Sequence, residues 1–325
     1  MIETAMPDTK KPVSAEAPIE VLLSDELAHV DGVLGTIGPV LSHLIANHHH
    51  ALFSDEIVAR VRGMVGSIAR QLLEVEAVIA DEADPHAFAV GKSAELAAML
   101  AASQPLLLHC HSLALESQLA ERLHLLHAID PVLSSLMQSL VASDDPVRAT
   151  LGMQALASQA RFIQRQKRMQ LSLAELPADI LHRVLAIWRQ SAQAVEPAAA
   201  AQVEARIRRD YDESSSRLGL LSRLVEEMGG GAQAALSVSH AGVAMFLTAL
   251  SAASEQEREI VALSTNDRLA ARLVLALRAA GLDPKQVQEQ CFYLQPETTL
   301  PDGLAGVSPD RAREILAAAG GWRRA

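Results

Sequence analysis

The residues with which this chain could do metal chemistry concentrate between Gln104 and Ala128, where His109, Cys110, His111, His124 and His127 share one stretch of helical pattern. Imidazole nitrogen and thiolate sulfur are good zinc ligands, and His124 and His127 stand one helical turn apart, close enough to share an ion. Adjacent helical positions diverge by about 100°, so His109, Cys110 and His111 cannot converge on one metal. The two groups lie roughly 20 Å apart at about 1.5 Å per residue, which rules out a single site within the helix. His124 and His127 are therefore the metal candidates. The run His48, His49 and His50 suits a helix C-terminus, where carbonyl ends favour a protonated ring. For histidine phosphotransfer the candidates are His240, His182 and His29, but Ala241, Arg183 and Val30 follow them where an assisting acid would stand.

Other chemistries have less to draw on. The chain contains neither a Gly-x-Ser-x-Gly nucleophile elbow nor a glycine-rich phosphate loop placed after a strand. Gly229 to Gly231 follows a helical pattern, and the pairs Glu226 with Glu227 and Glu255 with Glu257 read as solvated helix faces. No cofactor is called for, and the balance favours a protein that is not an enzyme.

The elements that must position these residues are helices. Half of the 325 residues are apolar, and they are mainly Ala and Leu, which lose little on entering a helix. Nine aromatic residues are too few for nucleic-acid stacking platforms, and a net charge of −11 repels phosphate backbones, so no nucleic-acid partner is expected. The densest basic face is Arg161, Arg165 and Arg168 at spacings of four and three, a candidate docking surface for an acidic protein partner. Two cysteines make no disulfide scaffold and the start carries no export signal, so a cytoplasmic location is expected. Charge is absent over 32–54, 96–115 and 228–254. Prolines, histidines, glycines and serines within them argue against a transmembrane segment.

Residues 1–18 read as a disordered tail. Helical stripes are expected over 19–47, kinked or broken at Gly38-Pro39, and over 55–81 with Ser54 as cap, the two forming an antiparallel pair. Asp-Pro pairs at 84, 130, 145 and 283 each suit a helix start. The two middle pairs, with Val132, Leu136 and Leu140 matching Val147, Leu151 and Ala155, suggest two short helices of one repeat. Further helices are expected over 178–192, through Arg206 to Asp210, and over 232–253, 255–264, 266–280, 284–294 and 310–319. The connector around Glu196-Pro197 divides the chain into an N-terminal helical domain, 19–195, and a C-terminal one, 196–325.

The segment from Ala160-Arg161-Phe162-Ile163 through Arg168-Met169-Gln170-Leu171-Ser172-Leu173-Ala174-Glu175-Leu176-Pro177 resembles a bacterial all-helical domain-of-unknown-function family. So do Ser239-His240-Ala241-Gly242 and the Leu275-to-Leu282 ending Leu-Ala-Leu-Arg-Ala-Ala-Gly-Leu. The resemblance spans about residues 130–295, implies loosely HEAT-like helix pairs, and supplies no catalytic residue. The expected fold is all-α, stacked antiparallel helix pairs in the manner of a short irregular HEAT-like solenoid. The expected function is an intracellular helical scaffold that binds another protein. The alternative is a metal-dependent enzyme using histidines of the 104–128 helix.

Overall fold

The computed structural model describes residues 19–46, 54–192, 196–266, 269–296, 303 and 306–319. Among these there are fourteen α-helices and no strand. The first four are α1 (Ile19–Ala46), α2 (Asp55–Ile79), α3 (Pro85–Leu100) and α4 (Gln104–His127). Next come α5 (Ser135–Val141), α6 (Pro146–Lys167), α7 (Ala178–Ser191), α8 (Pro197–Asp210) and α9 (Arg217–Met228). The last are α10 (Val238–Ser254), α11 (Arg258–Ser264), α12 (Ala270–Ala279), α13 (Pro284–Leu294) and α14 (Pro309–Ala318). The triple glycine opens a 3₁₀ segment, Gly229–Leu236, between α9 and α10.

Local chemistry sets most of the helix starts. Ser54 Oγ accepts from Ile57 N at 3.3 Å. The carboxylates of Asp84, Asp145 and Asp283 accept from first-turn amides of α3, α6 and α13, each with proline just inside the helix. Asp130 departs from this pattern. Its carboxylate holds the Val132 and Leu133 amides of a turn, both at 2.8 Å, and α5 begins later with Ser134 as its cap. The repeat expected from the two middle Asp-Pro pairs is therefore a seven-residue helix beside a 22-residue one. α1 is helical throughout 19–46, with no break at Gly38-Pro39.

The partnering also departs from expectation. α2 packs chiefly against α3, not α1, and α1 lies mainly on α4. Neither core keeps to one side of residue 196. One unites the first half of α1 (Leu23, Leu27), the end of α4, and helices α5, α9, α10, α12, α13 and α14. The other unites the second half of α1, helices α2, α3, α7 and α8, the start of α4, and Ile260 and Leu263 of α11. α8, expected to open a second domain, buries Ala200, Val203 and Ile207 in the core of α2 and α3. α10 touches α4, α5, α9, α11, α12 and α13, so packing around it reaches beyond the nearest-neighbour contacts of a solenoid.

Gly242 makes this central position possible. At φ +71° it breaks α10 after one turn, and a Cβ there would sit 3.1 Å from Ser134 Cβ. An L side chain would meet both the backbone penalty and that contact. No helix among the described residues is long and apolar enough to cross a membrane.

Candidate functional site

α4 carries a polar stripe into the interior. His109, Ser112 and Glu116, three and four residues apart, share one face and are all buried. Glu116 Oε1 accepts from Arg217 Nη1 at 2.6 Å and Oε2 from Nη2 at 3.1 Å, a bidentate pair. Arg258 Nη1 adds a third bond to Oε2 at 2.9 Å. Arg217 also donates to Gln159 Oε1 at 3.1 Å, and its guanidinium lies 3.7 Å from the centre of the Phe162 ring. Arg258 reaches Thr248 Oγ1 at 3.1 Å and the Ala244 carbonyl at 3.3 Å. Burial alone would push the Glu116 carboxyl up, but the two guanidiniums and their hydrogen bonds outweigh it and bring it down to about 2. The constellation joins α4, α6, α9, α10 and α11 as a fully paired charge cluster.

Two turns earlier on α4, His109 Nδ1 lies 2.8 Å from Glu259 Oε1. Burial pushes Glu259 up, and the hydrogen bond from His109, its charge interaction and lesser contributions bring it down to about 2, so the carboxylate is the acceptor and Nδ1–H the donor. His109 Nε2 is buried and has no hydrogen-bond partner. The neighbouring His111 is pushed down to about 4 by burial and stays neutral at pH 7.

Glu259 faces outward into a cleft of about 1170 Å³ walled by α1, α4, α7, α14 and the start of α11. Leu34, Pro105, Leu108, Ile180 and Ile315 supply its apolar wall. Asp31, Asp179, Glu257 and Glu259 face it, with Arg183 the cation among the described lining residues. Asp31 is paired behind the wall with Arg272, and Asp179 and Arg183 are exposed. Arg278 steadies the α14 side of the cleft. Its guanidinium donates to the Val307 carbonyl at 3.0 and 2.5 Å, tying α12 to the segment that leads into α14.

The residues singled out by sequence lie elsewhere. His124 is exposed on the last turn of α4, and His127 packs edge-on to Tyr293 at 4.9 Å and tilts against Phe292 at 5.8 Å. Among the described residues no three His, Cys, Asp or Glu side chains converge as a metal site. Arg161 and Arg168 are exposed, and Arg165 lies 3.8 Å from Glu175. They share a side of α6 near its C-terminus, where cations also complement the last carbonyls. His48 to His50 lie outside the described residues. Cys110 and Cys291 are buried, and burial pushes their thiols up to about 12 and about 11.

Sequence reasoning missed Glu116, Arg217, Arg258 and Glu259. One signal was available, since Glu116 is the lone charged side chain between Gln104 and Ala120. An isolated charge in an otherwise neutral helix must find a partner when that helix is buried. Family models, curated proteins and solved structures yielded no match to this chain.

Proposed function

We propose that the protein is a helical interaction module of the cytoplasm that receives a cationic, partly apolar segment of a partner protein in the cleft between α1, α4, α7, α11 and α14. The observation that carries this reading is the cleft itself, large enough for several side chains, apolar along its wall and bearing, among the described lining residues, four carboxylates and one guanidinium. Such a lining favours a segment that inserts apolar groups and presents Lys or Arg to the rim. The arginine face of α6 is the other candidate surface, but Arg161, Arg165 and Arg168 are not among the described residues that line this cleft. Two buried thiols suit a reducing compartment.

The test is affinity purification of the tagged chain from its own cells, comparing three forms by quantitative mass spectrometry. The wild type should retain a partner at comparable abundance. The double variant Asp179→Lys, Glu257→Lys should lose it, and the triple variant Arg161→Glu, Arg165→Glu, Arg168→Glu should keep it. Retention by the cleft variant with loss by the arginine variant would overturn the assignment and move the docking surface to α6.

A further inference from the structure

The four described carboxylates that face the cleft are not equivalent. Asp31 is committed to Arg272, whose side chain lies behind the wall and is 3 % exposed. Asp179 and Glu257 are exposed, so water and salt screen their charges. Glu259 differs from all three. Its side chain is 22 % exposed, and its partner is His109, itself 1 % exposed, at 2.8 Å from Oε1. A charge held there acts on a ligand through less water than one at the rim, and its attraction is correspondingly stronger. We propose that Glu259 is the anchor of the cleft and that the group it takes is a primary ammonium, the end of a lysine side chain, in preference to a guanidinium. The inference rests on the reading above and names the cation that the partner segment presents.

The preference follows from the acceptor that is left. A guanidinium gains most when it lays two parallel N–H bonds on both oxygens of a carboxylate. Glu259 Oε1 already accepts from His109 Nδ1, so a fork would have to share that oxygen. An ammonium carries its charge at one point and needs a single oxygen, with its remaining N–H groups turned to other acceptors. Ser24 and Gln104 carry such acceptors and line the same cleft. The four-carbon stem of a lysine suits the apolar wall of Leu34, Leu108 and Ile180. Hydration opposes the choice, since an ammonium holds its water more tightly than a guanidinium. The partial exposure of Glu259 lets the ammonium keep part of that shell. Burial pushes the Glu259 carboxyl up, but the hydrogen bond and charge of His109 bring it down to about 2, so the anchor is ionised at neutral pH. His109 is here a positioning residue that acts through the carboxylate it holds.

The test titrates the full chain with two probes of equal length, n-hexylammonium and n-hexylguanidinium, followed by the methyl shifts of labelled Leu and Ile. The wild type should bind the ammonium at least about threefold more tightly than the guanidinium. Glu259→Gln should weaken ammonium binding at least about tenfold. Glu257→Gln, on the same turn of α11, should change it by less than about threefold. His109→Leu should bring the two probes level, because both Glu259 oxygens then become free for a fork. His109→Asn, whose side-chain amide can replace the Nδ1 donor, should restore the preference. This ratio of affinities, read on chains that melt cooperatively, is what a merely structural role of His109 would leave unmoved. Equal or tighter guanidinium binding by the wild type overturns the lysine preference. Ammonium binding that survives Glu259→Gln, or is absent from the wild type, overturns the anchor. The partner assay fails separately. A partner lost with Asp179→Lys, Glu257→Lys but kept at full abundance by Glu259→Gln removes the anchor and leaves the interaction reading; probe binding with the stated dependence in a chain that captures no partner does the reverse.

Discussion

Glu116→Gln should lower the stability of the folded chain by about 3 kcal/mol at pH 7, and the deficit should shrink as pH falls. The substitution keeps size and one acceptor oxygen but removes the charge facing Arg217 and Arg258, whose side chains are 2 % and 11 % exposed. The Glu116 carboxyl titrates at about 2 when folded against an ordinary 4.5. At 1.36 kcal/mol per pKa unit this displacement corresponds to about 3 kcal/mol, close to the about 3–5 kcal/mol typical of breaking a buried ion pair. The sign follows from a depressed folded-state pKa. Stability is fully present above 4.5 and is lost as pH falls from there through about 2, because the unfolded chain takes up the proton first. At pH 3 the wild type should retain only about 1 kcal/mol of this contribution. Urea unfolding of both forms from pH 7 to pH 3 measures the difference directly. A constant gap across that range, or a gap below 1 kcal/mol at pH 7, would refute the assignment of Glu116 as the anion that balances both arginines.

Three further outcomes follow from buried groups. His111, held at about 4 against an ordinary 6.5, stays neutral in the folded chain while the unfolded chain protonates, so stability should fall by about 3 kcal/mol between pH 6.5 and 4; His111→Gln should flatten that limb, and an unchanged limb in urea titrations would refute it. Cys110 and Cys291 should resist a thiol-reactive disulfide reagent in the native chain and both react once unfolded, and prompt native labelling would contradict their burial. Gly63→Ala should cost about 1–3 kcal/mol, because the new Cβ would lie 2.5 Å from Met169 Cβ and 2.6 Å from the Met169 carbonyl oxygen, and Met169 is itself held at φ +54°; a melting temperature equal to the wild type would show that this turn yields freely.

Helix existence was legible because Ala and Leu at three- and four-residue spacing define a buried face, and because Asp-Pro and Ser caps satisfy first-turn amides in an identifiable way. What periodicity cannot reveal is what each face meets. The stripe on α2 was plain, yet its main partner is α3, and α8 returns to the α2 core although Pro197 looked like part of a linker. Proline at the first helical position is a start signal, and in an Ala-rich segment that signal competes with its reputation as a breaker. The candidate site was harder still. His109 and Glu259 meet across 150 residues of sequence, a separation no local pattern encodes. Density of histidines drew attention to the exposed end of α4, whereas the more informative residue was the single Glu116 in a neutral stretch.

The first turn of α11 couples the two features that matter most. Glu257 and Glu259 line the cleft, and between them Arg258 turns inward to Glu116, Thr248 and Ala244. Successive residues at the start of a helix point in divergent directions, so the guanidinium that anchors Arg258 in the core also fixes where its two neighbours present their carboxylates. Arg258→Lys keeps a cation near Glu116 but gives up the forked geometry that spans three acceptors. It should cost about 1–2 kcal/mol in stability, as expected for lost hydrogen bonds to partly satisfied groups. It should also reduce the partner retained through the cleft in the affinity purification, although Arg258 is not among the described cleft-lining residues. Arg60→Lys is the matched control. Its guanidinium is equally buried, bonding Ser117 at 2.7 Å and Glu121 at 3.0 Å, but its partners on α2 and α4 lie outside the cleft lining. Loss of the partner in both variants would mean a general loosening of the helices; loss in Arg258→Lys alone would locate the coupling in the first turn of α11.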